Sequence, residues 1–144
     1  MRVGMLPAEG RLIISPKSVN VEKLQTIAEQ SCKQCGRSIP LSVSITNKQP
    51  AEVFDGFNHV FFADETMSGD DVTLESKLAP AIQPDKTARY AIVVGAEGGF
   101  TEKEREKITA EKNIVSVSLG RRILRAETAV ISLAAVVLAK MGEL

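Results

Sequence analysis

Length, composition and charge describe an ordinary globular protein. The 144 residues are enough for one domain with a hydrophobic core, and 44% of them are hydrophobic. Lys plus Arg equals Asp plus Glu, at 18 each, so the chain lacks the basic surplus common in nucleic-acid-binding proteins. We see no signal-peptide core, and the longest apolar run, 129–139, is too short to span a bilayer. We therefore expect a cytoplasmic protein that does not enter a membrane.

The first part of the chain carries three predicted elements before a buried strand. The β-branched run 11–15 predicts a strand. A helix is expected to begin after Asn20, whose side chain suits an N-cap, and to end at Gly36. Alternation over 41–45 predicts another strand, and the apolar run 59–63 predicts a buried one.

The second part becomes regular from Tyr90 onward. Before it, residues 64–86 are acidic and contain two prolines, so we expect a mobile surface segment with at most one short helix. The later predicted elements are strands 90–94 and 114–118, a helix 102–111 capped by Thr101, and a final helix 128–141. Strands that alternate with helices predict an α/β fold with a mostly parallel sheet. The final helix is apolar nearly all round and must be covered by its own sheet or by a second subunit.

Two glycine-rich turns follow the last two predicted strands. The first turn contains Gly95, Gly98 and Gly99, and the second begins at Gly120. Interpreted as adjacent strands of one sheet, the two segments deliver both turns to the same edge, where α/β proteins bind small cofactors. Neither turn has the dinucleotide or Walker A spacing. The glycines indicate either a backbone that a ligand approaches closely or a tight turn without a ligand.

Three arginines stand beside the second turn: Arg121, Arg122 and Arg125. A guanidinium fork suits phosphate, carboxylate or the edge of a nucleobase. A salt bridge to Glu97 or Glu127 would explain any one of these arginines equally well. Glu127 and Thr128, which open the final helix, would also suit an N-terminal cap.

Other reactive side chains are predicted to be structural. Cys32 and Cys35 lie one turn apart at the end of a helix, whereas a redox motif opens one, and zinc would need two more ligands. His59 lies inside an apolar run, and Phe100 is expected to fill the core. We therefore predict no metal site.

The two turns resemble those of the bacterial 16S ribosomal RNA (uridine-N3) methyltransferase family, which belongs to the SPOUT methyltransferases. That family carries Gly-Pro-Glu-Gly-Gly-Phe and Leu-Gly-Pro-Arg-Ile-Leu-Arg-Thr-Glu-Thr-Ala, which correspond to residues 95–100 and 119–129 here. Residues 33–40 are similar to a third segment of the family, Glu-Gln-Ser-Gly-Arg followed by a proline. Ala96 and Arg121 replace family prolines, which should loosen both turns.

The resemblance implies a mostly parallel α/β sheet with a deep C-terminal trefoil knot. It implies that residues 1–144 form a single methyltransferase domain, truncated at its N-terminus because the family's RNA-binding barrel is missing. It further implies a homodimer that binds S-adenosylmethionine, needs no metal and methylates N3 of a uridine in small-subunit ribosomal RNA. The alternative is a catalytically impaired dimeric module that binds the cofactor or RNA, and a phosphate-binding protein is a weaker one.

The resemblance also implies roles for individual residues. The cofactor would contact the two turns at Val94, Gly95, Glu97, Gly98, Gly99, Leu119, Gly120, Ile123 and Leu124. Arg125 would stabilise the charge that develops on the uridine carbonyl oxygens. Glu127 would orient Arg125, or would accept the proton if it is buried. Arg122, or Arg37 of the dimer partner, would hold RNA phosphates.

Overall fold

The computed structural model describes residues 2–5, 19–36, 38, 41–46, 48–67, 74–82, 87–96 and 98–143. The chain divides into two compact units, Met1–Gln49 and Pro50–Leu144, each of which is described by itself. The predicted strand at 11–15, together with Arg37 and Glu97, lies outside the described residues.

The first unit contains strand β1 (Arg2–Met5), helix α1 (Val21–Gln34) and strand β2 (Ser42–Ile45). The two strands are parallel neighbours. Helix α1 begins as predicted, because the Asn20 side chain accepts a hydrogen bond from the backbone N–H of Lys23 at 2.8 Å. Gly36 follows its end with φ 73°, a left-handed conformation that favours glycine. Gln25 ties the helix to β2 by accepting from the Val43 N–H at 2.9 Å.

The second unit carries a three-stranded sheet flanked by helices. Its elements in chain order are α2 (Pro50–Phe54), β3 (His59–Ala63), a 3₁₀ turn (Glu65–Met67), α3 (Leu74–Ala81), β4 (Tyr90–Val93), α4 (Glu102–Thr109), β5 (Ile114–Val117) and α5 (Ala126–Met141). The strand order is β4-β3-β5 and both pairings are parallel. The predicted α/β fold with a parallel sheet is confirmed.

Strands β4 and β5 are neighbours along the chain but not in the sheet, because β3 lies between them. Val60 of β3 stands opposite Ala91 on one side and Ile114 on the other. Val60, Phe61 and Phe62 are at most 1% exposed. A strand that is apolar on both faces needs cover on all sides, which the centre of a parallel sheet provides. The prediction of two adjacent strands is therefore wrong, and the end of β3 lies between the two glycine turns.

The core of the second unit packs the sheet against α3 and α5. Its buried members are Phe61, Leu78, Ala81, Ile82, Val117, Leu133 and Val137. Leu78 belongs to segment 64–86, for which we predicted a mobile surface segment. The description as a surface segment is wrong for the described residues, since Leu78 is fully buried and Asp64 is 6% exposed. The one short helix that the prediction allowed is present at Leu74–Ala81. Acidic residues and prolines in this segment obscure the helical spacing of its apolar residues in the sequence.

The opposite face of the sheet is covered at the first glycine turn. Phe62 meets the ring of Phe100 edge-on with centroids 5.3 Å apart. Phe100 thus packs against the sheet, although it is half-buried and not a member of the buried core. Helix α4 then begins with a capping box, in which the Thr101 hydroxyl accepts from the Glu104 N–H at 3.3 Å. The Glu104 carboxylate accepts in return from the Thr101 N–H at 2.7 Å. The predicted cap at Thr101 is confirmed.

Helix α5 buries one stripe and exposes another. Ala129, Leu133 and Val137 are buried, whereas Ile131 is 69% exposed. The helix begins at Ala126 with Arg125 as N-cap, and that cap makes no side-chain hydrogen bond. Glu127 lies in the first turn and does not cap the helix, so the cap interpretation is wrong. Within the part of the chain described, we find no helix long and apolar enough to cross a membrane.

Candidate cofactor site

A cavity of about 370 Å³ opens where the segments after β3, β4 and β5 come together. Its volume lies in the range of pockets that bind small molecules. The cavity brings together these predicted residues: Val94, Gly95, Gly99, Leu119, Arg122, Ile123, Leu124 and Arg125. Gly98, Gly120 and Glu127 are described but do not line it.

Two glycines shape the first turn by allowing close approach. The Gly99 N–H donates to the Ala96 carbonyl at 2.8 Å, and its φ of 63° favours glycine. A Cβ on Gly99 would occupy the place of the Glu65 carboxylate. A Cβ on Gly95 would lie 3.1 Å from the Phe100 ring. The turn therefore packs directly against the Glu65 carboxylate and the Phe100 ring, which leaves no room for a side chain at either glycine.

The second turn is closed by a serine that the sequence analysis did not select. Buried Ser118 accepts from the Gly120 N–H at 3.3 Å, and its hydroxyl lies 3.3 Å from the Gly120 carbonyl, to which it donates. Gly120 has φ 109°. Arg122 and Arg125 are exposed, and within the described residues their side chains make no hydrogen bond or ion pair. The salt bridge to Glu127 considered from the sequence is not formed.

A third wall, at the end of β3, was missed by the sequence analysis. The Asp64 carboxylate accepts from the Thr66 N–H at 3.0 Å and the Thr66 hydroxyl at 2.8 Å. Its other oxygen accepts from Arg105 Nη2 at 2.9 Å. The side chain of Asp64 is 5% exposed and that of Arg105 is 22% exposed. Asp64 directly follows a buried parallel strand, a position that could have indicated the site.

The walls differ in chemical character. Asp64 and Glu65 after β3 supply carboxylates, and Arg105 of α4 supplies a guanidinium. The apolar surface comes from Phe62, Val117, Leu119 and Leu124. The cavity thus offers one apolar region and one charged region to a bound small molecule.

Neither the cysteines nor the histidine is among the residues that line the cavity. Cys32 is buried and Cys35 exposed, and both are free thiols. The half-buried His59 ring stacks on Tyr90 at 6.4 Å. A search of the described residues finds no group of three or more His, Cys, Asp or Glu side chains placed to hold a metal ion.

Comparison with known proteins places these features in a family. A family model described as an RNA methyltransferase domain matches residues 10–138. The chain is 31% identical over 116 residues to ribosomal RNA small subunit methyltransferase E of Rickettsia conorii, covering 81% of this chain and 46% of the relative. It is 31% identical over 125 residues to the protein of the same name from Aquifex aeolicus, covering 81% and 47%. The chain spans about half the length of these curated relatives.

A solved structure shares the fold. The ribosomal RNA small subunit methyltransferase E of Neisseria gonorrhoeae, bound to S-adenosylmethionine, superimposes with a TM-score of 0.64 at 24% identity. The match covers 93% of this chain and 52% of that one. The family model, which matches most of the chain, confirms the resemblance seen in the two glycine turns: the chain belongs to the RNA methyltransferase domain family.

Proposed function

We propose that this chain binds S-adenosylmethionine and methylates N3 of a uridine in small-subunit ribosomal RNA. The observation that carries the proposal is the cavity between the two glycine turns, found in a chain of the RNA methyltransferase domain family. Two relatives carry the name of a small-subunit ribosomal RNA methyltransferase, and the Neisseria structure holds S-adenosylmethionine, which supports the choice of substrate and cofactor.

The residues present fit the cofactor on two observations. The cavity has a suitable volume of about 370 Å³, and its lining combines apolar side chains with the charged groups of Asp64, Glu65 and Arg105. We assign binding to the two turns, with Glu97, Gly98 and Gly120 included on the resemblance alone. When bound, S-adenosylmethionine supplies an activated methyl group.

The residues of the chain would assist removal of the N3 proton of the uridine and stabilise the resulting charge. Loss of the N3 proton leaves negative charge shared by the two flanking carbonyl oxygens. Arg125 lies on the cavity lining and is exposed, so its guanidinium is available to stabilise that charge. Glu127 would orient Arg125 or accept the proton, and its exposed position means that RNA or a second subunit must cover it first. Arg122, or Arg37 of the partner subunit, would hold RNA phosphates.

We propose a homodimer built on the exposed apolar face of α5. On α5, Ile131 is 69% exposed and Val130 39%. Ile123, which precedes the helix and also lines the cavity, is 71% exposed. Exposed aliphatic side chains of this kind favour a surface that another molecule covers. A second copy of the chain would cover them. The deep trefoil knot, a single methyltransferase domain over residues 1–144 and a cytoplasmic location are proposed on the family resemblance.

Calorimetric titration with S-adenosylmethionine tests the binding, and incubation with small ribosomal subunits and labelled cofactor tests the transfer. We expect saturable binding and a methylated uridine identified by mass spectrometry. Absence of binding heat and of any shift in melting temperature would contradict the cofactor assignment. Binding without transfer would instead favour the non-catalytic module.

A further inference from the structure

We propose that Arg121 binds a backbone phosphate of the RNA strand beside the target nucleotide, outside the cofactor cavity. The contact is to phosphate alone, so it adds affinity without recognising a base. This inference rests on the function proposed above and extends it to a surface that the cavity does not include.

The second turn concentrates positive charge in a chain that has no net charge. Residues 112–126 contain four cations and no acidic residue. Three of these cations, Arg121, Arg122 and Arg125, fall within five positions and are exposed. A polyanion is therefore attracted to this turn by local charge and not by the net charge of the chain.

No residue that the structure describes neutralises these arginines. Among the described residues, their side chains make no hydrogen bond or ion pair. Glu127, the next acidic residue along the chain, is exposed and forms no salt bridge with them. The start of α5 does not compensate them either, because a helix N-terminus carries partial positive charge. A partner that supplies negative charge would relieve this repulsion.

Arg121 differs from the other two arginines in its position. Arg122 and Arg125 line the cavity, whereas Arg121 does not. Gly120, which precedes it, has φ 109°. A Cβ on Gly120 would meet no atom of the described residues within 4 Å beyond its chain neighbours. The backbone beside Arg121 is thus open to a large partner.

An RNA strand matches this arrangement. A nucleotide whose base enters the cavity leaves its neighbouring phosphates at the rim, where Arg122 and Arg125 are exposed. Arg121 adjoins Arg122, so its guanidinium is within reach of a phosphate next to the target nucleotide, and its fork can donate to two phosphate oxygens at once. The family motif has proline at this position, so the contact is a property of this chain and not of the motif.

Binding of a labelled single-stranded oligouridine tests the contact. In fluorescence anisotropy, the affinity of the parent should fall as NaCl rises from about 50 to 200 mM. Arg121→Met should reduce the slope of log K against log [NaCl] by about 0.7, the contribution of one phosphate contact to a single strand. At about 100 mM NaCl, the same change should weaken binding on the order of 5-fold. Arg121→Lys should keep the slope, because an ammonium group also binds phosphate as a point charge.

Lys112→Met is the matched control. Lys112 is an exposed cation that precedes β5, whereas Arg121 follows it, so the strand separates the two charges. Lys112→Met changes the net charge by the same amount as Arg121→Met. It should leave oligouridine affinity within about twofold, because salt screens a distant exposed charge.

Methyl transfer to small ribosomal subunits gives a second readout. Arg121→Met should raise KM for the subunits on the order of 5-fold and leave kcat within about twofold, because a phosphate contact outside the cavity is equally strong before and in the transition state. The affinity for S-adenosylmethionine in calorimetry should be unchanged, since Arg121 does not line the cavity.

The outcomes separate this inference from the proposed function. A parent that does not bind oligouridine, or an Arg121→Met variant that loses no more affinity than Lys112→Met, overturns the inference and leaves the methyltransferase assignment intact. Loss of S-adenosylmethionine affinity in Arg121→Met overturns it as well, because Arg121 would then bind the cofactor. A parent that neither binds S-adenosylmethionine nor transfers methyl groups refutes the proposed function itself.

Discussion

Removal of the Asp64 carboxylate should destabilise the second unit substantially. Asp64→Ala deletes the acceptor of three hydrogen bonds and the counter-charge of Arg105. Thr66 is exposed, so its two donors can turn to water at small cost. Arg105 is only 22% exposed and would be left as a poorly solvated cation.

The size of the effect follows from that partial exposure. Breaking a fully buried ion pair costs about 3–5 kcal/mol, and access of Arg105 to water reduces this to about 2–4 kcal/mol. For a chain of 144 residues, that loss corresponds to a fall in melting temperature on the order of 10 °C.

Urea denaturation of a double-mutant cycle tests the reasoning. Asp64→Ala, Arg105→Met and the double variant should show a coupling free energy of about 1–3 kcal/mol, because the double variant buries no unpaired charge. Glu106→Ala, at an exposed position of α4, serves as the control and should stay within about 0.5 kcal/mol of the parent. An Asp64→Ala variant as stable as that control, or strict additivity, would refute the assignment of a stabilising buried pair.

Three other substitutions probe the site and its assembly. Gly99→Ala should weaken S-adenosylmethionine binding, because the new Cβ displaces the Glu65 carboxylate that lines the cavity, whereas Gly36→Ala should leave binding unchanged. Both variants should lower the melting temperature alike, since both glycines have positive φ and the displaced carboxylate ends an exposed side chain; unchanged binding in Gly99→Ala would contradict this. Arg125→Ala should cut methyl transfer by on the order of 10²-fold while cofactor affinity stays within a few-fold, and Arg125→Lys should restore little of the activity. Equal losses of transfer and of cofactor affinity would show that Arg125 binds the cofactor instead. Ile131→Glu should give monomers in analytical ultracentrifugation, whereas Gln30→Glu, the same charge on exposed α1, should not; a parent that sediments as a monomer would disprove the dimer.

Local rules predicted the elements well. The Asn20 and Thr101 caps, the strand at His59–Ala63 and the glycine after α1 all follow from side-chain and backbone preferences of a few neighbouring residues. The two glycine turns could be found for the same reason, because each motif is contiguous. Such features need no knowledge of the rest of the fold.

What failed depended on contacts between distant segments. Strand β3 lies between β4 and β5 because both of its faces are apolar and are buried at the centre of the sheet. No local sequence pattern predicts this strand order. Asp64 and Arg105 lie 41 positions apart, so their pairing could not be inferred from spacing. The acidic composition around Asp64 predicts a solvent-exposed segment, although the fold buries that carboxylate.

The capping box at the start of α4 fixes the angular phase of the helix as well as its beginning. Thr101 and Glu104 lock the first turn, and Arg105 is the next residue along. Each residue of an α-helix rotates by about 100°, so one residue inserted between Gly99 and Arg105 would swing the guanidinium away from Asp64. The contact between Arg105 and Asp64 therefore requires a fixed number of residues between Gly99 and Arg105. An insertion beyond the end of α4 would leave this spacing unchanged.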